Sequence, residues 1–195
     1  MELQGKKVGL LVERDFQDME VMYPYYRIKE AGAQVLVIGV EAKEYKGKHG
    51  YPIKAEKKSS DVKAADLDGL VVPGGWAPDF LRRDPATVRL VKDVFDRKKP
   101  VGAICHAGWV LVSAKVLDGR KATSFFAIKD DMINAGALWE DKEVVVDQNL
   151  VTSRTPDDLP AFCRAFIEQL STSAPRGSNG SGRRAAGKAS SRSRA

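Results

Sequence analysis

Short apolar runs alternate with segments of helical spacing along the first half of the chain, and this alternation limits the fold more than any other feature. The apolar runs cover residues 7–12, 35–40, 70–72 and 100–104, and helical spacing covers residues 19–31 and 86–97. Runs this short and this apolar predict strands that are buried on both faces of a sheet. Strands that alternate with helices predict a mostly parallel sheet with helices on both faces, so the fold class is α/β.

The fourth of these strands runs directly into Cys105 and His106. Small residues, Ala103 and Ala107, lie two positions to either side of the thiol, as a sharp strand-to-helix turn requires. The segment is therefore typical of a nucleophile elbow. The N–H groups and the positive dipole end of a helix that starts there favour the thiolate over the thiol. The local pattern is equally compatible with a buried structural cysteine beside an incidental histidine.

The loops that follow the predicted strands indicate where a ligand binds, because parallel sheets bind ligands beyond the carboxyl ends of their strands. Three such loops are the one after Val12, the Pro73-Gly74-Gly75 turn and the Cys105 turn. In the first loop we expect Asp18 to cap the helix that follows. In the second, the missing side chains of the glycines let backbone amides approach a ligand. We expect all three loops to meet at one edge of the sheet.

Composition limits the chain to one domain in a reducing compartment. Its 195 residues, of which 43% are hydrophobic, suffice for one substantial core. The only cysteines are Cys105 and Cys163 and the only histidines are His49 and His106, so we expect no disulfide framework, no metal and no cofactor. We expect Cys163 to be a packing residue. The sequence has neither an apolar run of about 20 residues nor an apolar leader, so we expect no membrane partner and a cytoplasmic location.

The net charge of +6 comes entirely from the end of the chain. Six basic residues and no acidic ones lie between positions 171 and 195, namely Arg176, Arg183, Arg184, Lys188, Arg192 and Arg194. The composition predicts a folded domain over residues 1–171 and a basic, low-complexity, disordered tail over residues 172–195. Such a tail could hold nucleic-acid phosphates weakly and without sequence preference, although a solvated extension without a partner is the favoured interpretation.

Five ordered segments carry a family resemblance over residues 7–170. They are residues 47–51, 73–75, 103–106, 128–136 and 153–159, which read GKHGY, PGG, AICH, IKDDMINAG and SRTPDDL. In order and spacing they resemble the PfpI family of intracellular protease-like proteins. This family lies in the class I glutamine-amidotransferase-like superfamily, which includes the parkinsonism-associated deglycase. The resemblance implies a flavodoxin-like three-layer sandwich, a dimer or higher oligomer, and an oxidation-sensitive cysteine.

The resemblance also implies a role for individual residues. Cys105 is similar to the family nucleophile, His106 to its neighbouring histidine, and Glu20 to a buried glutamate that hydrogen-bonds the sulfur. A glutamate in that position would be protonated or share its proton with the thiol, because two adjacent anions repel each other. Gly75 and His106 would donate backbone amides to an oxyanion.

The sequence departs from the family pattern just after the Pro-Gly-Gly turn. Protease-like members carry an acid there, generally glutamate, that orients the histidine of a neighbouring subunit. The matching residue in this chain is Asp79, which is one methylene shorter and could leave His106 poorly oriented. Trp76 at the same turn is large and would either narrow the pocket or cover an oligomer interface.

Three functional classes remain open at this point. The first is a cysteine hydrolase for peptides, in which His106 activates Cys105. The second is a glyoxalase or deglycase, in which the thiolate adds to a small aldehyde such as methylglyoxal or to its early adduct on a protein. The third is a redox-responsive stress protein whose cysteine is reversibly oxidised. We expect a PfpI-type stress-response protein that is formally a cysteine hydrolase, with weak or narrow proteolysis.

Overall fold

The computed structural model describes residues 2–173, which form eleven strands and six α-helices. The strands are β1 Lys7–Val12, β2 Gln34–Gly39, β3 Glu44–Lys46, β4 Pro52–Lys54, β5 Lys57–Lys58, β6 Gly69–Val72, β7 Val101–Ile104, β8 Lys121–Ala122, β9 Leu138–Trp139, β10 Val144–Asp147 and β11 Leu150–Ser153. Seven of them form the main sheet in the order β10-β11-β7-β6-β1-β2-β5. Every pair in this sheet is parallel except β10 with β11.

The helices cover both faces of this sheet. They are α1 Asp18–Glu30, α2 Ala77–Leu81, α3 Pro85–Asp96, α4 Gly108–Ala114, α5 Lys129–Asn134 and α6 Leu159–Thr172. Helix α1 packs against α6 on one face, and α3 packs against α4 on the other. The predicted α/β class and the flavodoxin-like three-layer sandwich are therefore confirmed.

The central strands supply the core, as their uniformly apolar sequences predict. Every residue of β6 and β7 is buried. The glycine of β7 allows α6 to approach closely, because a Cβ on Gly102 would lie 2.9 Å from the rings of Phe162 and Phe166. Cys163 is also buried in α6, in line with a packing role. Because β6 pairs in parallel with both β1 and β7, the carboxyl ends of these three strands lie side by side at one edge of the sheet.

Four elements form two small sheets outside the main one. Strands β3 and β4 form an antiparallel hairpin whose tip is residues 47–51. Strand β9 contains only two residues and pairs in parallel with β8. No helix within residues 2–173 is long and apolar enough to cross a membrane. Nearly all of the predicted basic tail lies outside the described residues.

The expectation that Asp18 caps α1 is wrong. Gln17 occupies the cap position without a side-chain hydrogen bond, and Asp18 is the first helical residue. The Asp18 carboxylate instead accepts hydrogen bonds from the backbone N–H groups of His49, at 3.0 Å, and Tyr51, at 3.1 Å. It binds the hairpin tip because this tip passes directly over the start of α1, where a side chain at Gly47 would collide with the carboxylate.

Candidate active site

Cys105 lies in a sharp turn between β7 and α4. A single 3-10 turn, Cys105–Ala107, joins the strand to the helix, and the backbone of Cys105 is left-handed with a φ of 62°. A residue with a side chain rarely adopts this conformation, and holding one there costs on the order of 1 kcal/mol. The turn brings the cysteine to the sheet edge with 9% of its surface exposed. This strand-to-helix geometry agrees with the sequence prediction.

His106 contacts the sulfur of Cys105 and is surrounded by aromatic rings. Its Nδ1 atom lies 3.2 Å from the cysteine Sγ. The imidazole stacks on Phe125 with ring centres 5.0 Å apart and meets the edge of Trp109 at 5.2 Å. Burial lowers the pKa of His106, and the positive charge of Lys48 lowers it further. The imidazole is therefore neutral at pH 7 and able to accept a proton.

Glu20 is fully buried in the first turn of α1. Its Oε2 atom accepts a hydrogen bond from the Gly74 N–H at 2.7 Å, and Oε1 has no partner of normal geometry among residues 2–173. Burial raises the pKa of Glu20 to about 7, against smaller lowering effects from the Gly74 N–H, the Cys105 thiol and the Lys48 charge. The carboxyl group is therefore partly protonated at neutral pH, as the family resemblance implies.

The protonation of Cys105 depends on that of Glu20. Burial raises the pKa of the thiol, and the negative charge of Glu20 raises it further. The backbone N–H groups of Gly75 and His106 act in the opposite direction, because they donate to the sulfur and stabilise its anion. A proton on Glu20 removes the repulsion, so the pair favours one shared proton over two charges.

A cleft of about 200 Å³ opens onto the sulfur. Its lining includes four of the predicted site residues, and the others are Gln17, Lys48, Phe125, Thr155 and Pro156. Trp76 lies at the mouth with 58% of its surface exposed. The sequence analysis missed Lys48 and Phe125, which lie in loops that follow no strand of the main sheet. It could have found Thr155 and Pro156, because they lie in the loop that follows β11 at the same edge.

The structure therefore brings together all but one of the predicted site residues. Cys105, His106, Gly75 and Trp76 line one cleft, and Glu20 is buried next to Cys105 without lining it. Asp79 does not join them within the chain. It lies on α2, where its carboxylate forms an ion pair with Arg83. No group of three or more potential metal-ligating side chains occurs in the part of the chain that the structure describes.

The fold and the site define a flavodoxin-like α/β protein with a cysteine at a strand-to-helix turn. The sequence model of the DJ-1/PfpI family matches residues 6–169. The chain therefore belongs to the DJ-1/PfpI family, which confirms the resemblance found in the sequence.

Two relatives and one solved structure illustrate the similarity. A deglycase of Pyrococcus horikoshii is 46% identical over 164 residues, covering 84% of this chain and 99% of the relative. A Bacillus subtilis protein that carries a provisional cysteine protease name is 47% identical over 167 residues, covering 85% and 99%. The crystal structure of a two-domain protein from Anabaena variabilis, with DJ-1/ThiJ/PfpI-like and ferritin-like domains, superimposes with a TM-score of 0.84 at 42% identity. That match covers 85% of this chain and 48% of the other.

Proposed function

We propose that this protein is a cysteine-dependent hydrolase that acts on small carbonyl compounds and their early adducts on proteins, as a deglycase does. The observation that carries the proposal is the small cleft over the Cys105 sulfur, which Gly75 and His106 line, together with Glu20 buried next to that cysteine. The similarity to a deglycase over 99% of that relative's length supports the same activity.

The residues of the cleft account for each step with methylglyoxal. The thiolate of Cys105 adds to the aldehyde carbon, a C–S bond forms, and the carbonyl oxygen takes the proton that the thiol gave up. The amides of Gly75 and His106 hold this oxygen while it carries negative charge. A proton then moves from the former aldehyde carbon to the adjacent carbonyl carbon, and the hydroxyl proton moves to the neighbouring oxygen, which leaves a 2-hydroxyacyl thioester. Water cleaves the thioester into a 2-hydroxy acid and the free thiol.

Glu20 is the group suited to that proton transfer. Its pKa of about 7 lies close to working pH, where a side chain both accepts and releases a proton readily. An early adduct on a protein amine enters the same sequence when the thiol replaces the amine on the carbon that both groups attack. The protein amine leaves with the proton that the thiol supplied, so the protein is restored.

Two features favour small substrates over peptides. For this reason we place deglycase activity before peptide hydrolysis, whereas the sequence alone favoured a peptide hydrolase. A cleft of about 200 Å³ holds only a few heavy atoms. Within residues 2–173, moreover, aromatic rings surround His106 and no acid orients it, since Asp79 pairs with Arg83. Addition of a thiolate to an aldehyde requires no strictly oriented base, whereas peptide hydrolysis does.

Peptide hydrolysis is the second candidate, and the 3.2 Å contact between Cys105 Sγ and His106 Nδ1 supports it. We expect it to require an oligomer in which Asp79 of a neighbouring copy approaches His106, and to remain slow because aspartate is short. The redox role requires only the Cys105 thiol. A salt-dependent DNA shift that is lost on deletion of residues 172–195 would support phosphate binding by the basic tail, and equal binding without these residues would refute it.

The test compares three substrates in one preparation. Methylglyoxal consumption, amine release from methylglyoxal-treated N-acetyl-lysine and casein cleavage are measured for wild type, Cys105→Ala and the matched control Cys163→Ala. We expect turnover of the carbonyl substrates to disappear in Cys105→Ala and to persist in Cys163→Ala. Carbonyl turnover that survives Cys105→Ala would refute the proposal. Casein cleavage alone would favour the peptidase, and absence of all turnover with peroxide adding one oxygen to Cys105 would favour the redox role.

A further inference from the structure

Lys48 brings an unpaired positive charge to the cleft. It lies in the tip of the β3–β4 hairpin, residues 47–51, and lines the cleft beside Trp76 and Cys105. Among the described residues its ammonium group forms no ion pair within 4.0 Å, whereas Lys58 on β5 pairs with Glu41 at 2.6 Å. A cation that borders a reactive group without a partner of its own is available to a ligand.

The hairpin tip is fixed at the cleft by backbone hydrogen bonds. The N–H of Lys48 donates to the carbonyl oxygen of Phe16 at 2.9 Å, and Asp18 accepts from the two N–H groups that flank Gly50. Both anchors belong to the segment that leads into α1. The lysine stem therefore starts from a defined position relative to Glu20, which lies two residues beyond Asp18 on the same helix.

The positive charge of Lys48 affects the pKa of His106 and of Glu20, the two groups beside the Cys105 sulfur. The pKa of His106 is lowered mainly by burial and, to a smaller extent, by the positive charge of Lys48. The same charge is one of the causes that lower the pKa of Glu20. An anion bound beside Cys105 would experience the same field. The other cleft residues, among them Trp76, Phe125 and Pro156, carry no charge that competes with it.

We propose that Lys48 is the anion-recognition residue of the cleft and that the preferred substrates are small carbonyl compounds that carry a carboxylate close to the reacting carbon. The carbonyl half of this assignment rests on the function proposed above, whereas the anion site does not. A carboxylate fits better than a phosphate because one ammonium group matches a single negative charge. The neighbouring amides of Gly75 and His106 already serve the sulfur and the oxyanion.

The anion site is tested by the reaction of Cys105 with two reagents of matched size, iodoacetate and iodoacetamide. In both reactions the thiolate forms a C–S bond, the C–I bond breaks and iodide leaves, but only iodoacetate is negatively charged. The ratio of the two rate constants is independent of the thiolate fraction, since both reagents consume the same thiolate. Mass spectrometry of the Cys105 peptide in Cys163→Ala protein follows each reaction.

We expect Lys48→Met to lower the iodoacetate-to-iodoacetamide ratio by roughly three- to tenfold, the effect of one partly solvated charge at short range. Lys48→Arg should keep the ratio, and 1 M salt should abolish the difference between wild type and Lys48→Met. Lys46→Met is the matched control, because Lys46 is exposed on the same hairpin but does not line the cleft. An unchanged ratio in Lys48→Met, or an equal fall in Lys46→Met, would overturn the proposal.

The substrate class is tested by protection of Cys105 against iodoacetamide. Glyoxylate and glyoxal both add to thiols, and only glyoxylate carries a carboxylate. We expect Lys48→Met to raise the half-protecting concentration of glyoxylate several-fold and to leave that of glyoxal unchanged. Equal changes for both compounds would overturn the carboxylate assignment. Neither measurement depends on turnover, so a protein without deglycase activity would refute the proposed function while leaving the anion site measurable.

Discussion

Glu20 and Cys105 meet across Gly74, although 84 positions of sequence separate them. A Cβ atom on Gly74 would lie 2.6 Å from Glu20 Oε2 and 2.7 Å from Cys105 Cβ. Only hydrogen fills this space, and the same glycine donates its N–H to Glu20. The contact between the carboxyl group and the thiol therefore depends on a residue that has no side chain.

Gly74→Ala is expected to separate this pair. A methyl group has no room between two buried side chains, so the substitution should destabilise the protein by about 1–3 kcal/mol and slow turnover more than tenfold. Denaturant unfolding and methylglyoxal consumption measure the two effects. Gly119→Ala is the control, because a methyl group there meets nothing within 4 Å and only its φ of 68° is unfavourable. Equal activity losses in both variants would contradict a specific role for Gly74.

Glu20→Gln is expected to change the pH dependence of stability. The folded-state pKa of about 7 exceeds the ordinary value of 4.5, so the folded protein holds a proton that the unfolded chain has released. Wild-type stability therefore falls as pH rises from 4.5 to 7, by on the order of 2 kcal/mol between pH 5 and pH 8. Glutamine does not titrate, so the variant should lack this fall.

Urea unfolding of wild type and Glu20→Gln at pH 5, 6, 7 and 8 measures the difference. The advantage of the variant over wild type should grow with pH and level off above pH 7. The exposed Glu168 on α6 provides a control, since Glu168→Gln should follow the wild-type curve. Parallel curves for wild type and Glu20→Gln would show that Glu20 releases its proton as readily in the folded state as in the unfolded chain.

Phe125→Leu is expected to loosen His106. The ring of Phe125 stacks on the imidazole and contributes to the burial that lowers its pKa. Its loss should raise the pKa of His106 toward 6.5 and move the acid limb of the kcat/KM profile to higher pH, because the neutral imidazole is the form that accepts a proton. Phe126→Leu is the matched control for Phe125→Leu, because Phe126 is 74% exposed and contacts Phe125 rather than His106. A turnover loss with no shift of the acid limb would exclude this role.

Trp76→Ala is expected to widen the mouth of the cleft without weakening the fold. Because the indole is 58% exposed, the free energy of unfolding should change by less than about 0.5 kcal/mol. The ratio of kcat/KM on a methylglyoxal-treated peptide to that on methylglyoxal itself should rise. A fall in this ratio would indicate that Trp76 binds the larger substrate rather than obstructing it.

The sequence predicted those features that short-range patterns determine. The strand before Cys105 and the turn after it are encoded by adjacent residues, and the family resemblance supplied Glu20. Asp18 was misassigned as a helix cap because its partners, His49 and Tyr51, approach only after the hairpin folds over α1. Lys48 was missed for the same reason. The pairing of Asp79 with Arg83 likewise depends on side-chain conformation, which residue spacing does not fix.

Helix α1 has a mechanical consequence for the site. Asp18 and Glu20 differ by two residues, which corresponds to about 3 Å along the helix axis. One holds the loop that carries Lys48, and the other lies beside the sulfur. Any displacement of α1 would therefore move Lys48 and Glu20 together relative to Cys105, which is anchored to β7. The reactivity of the thiol is in this sense set by the alignment of one helix against one strand.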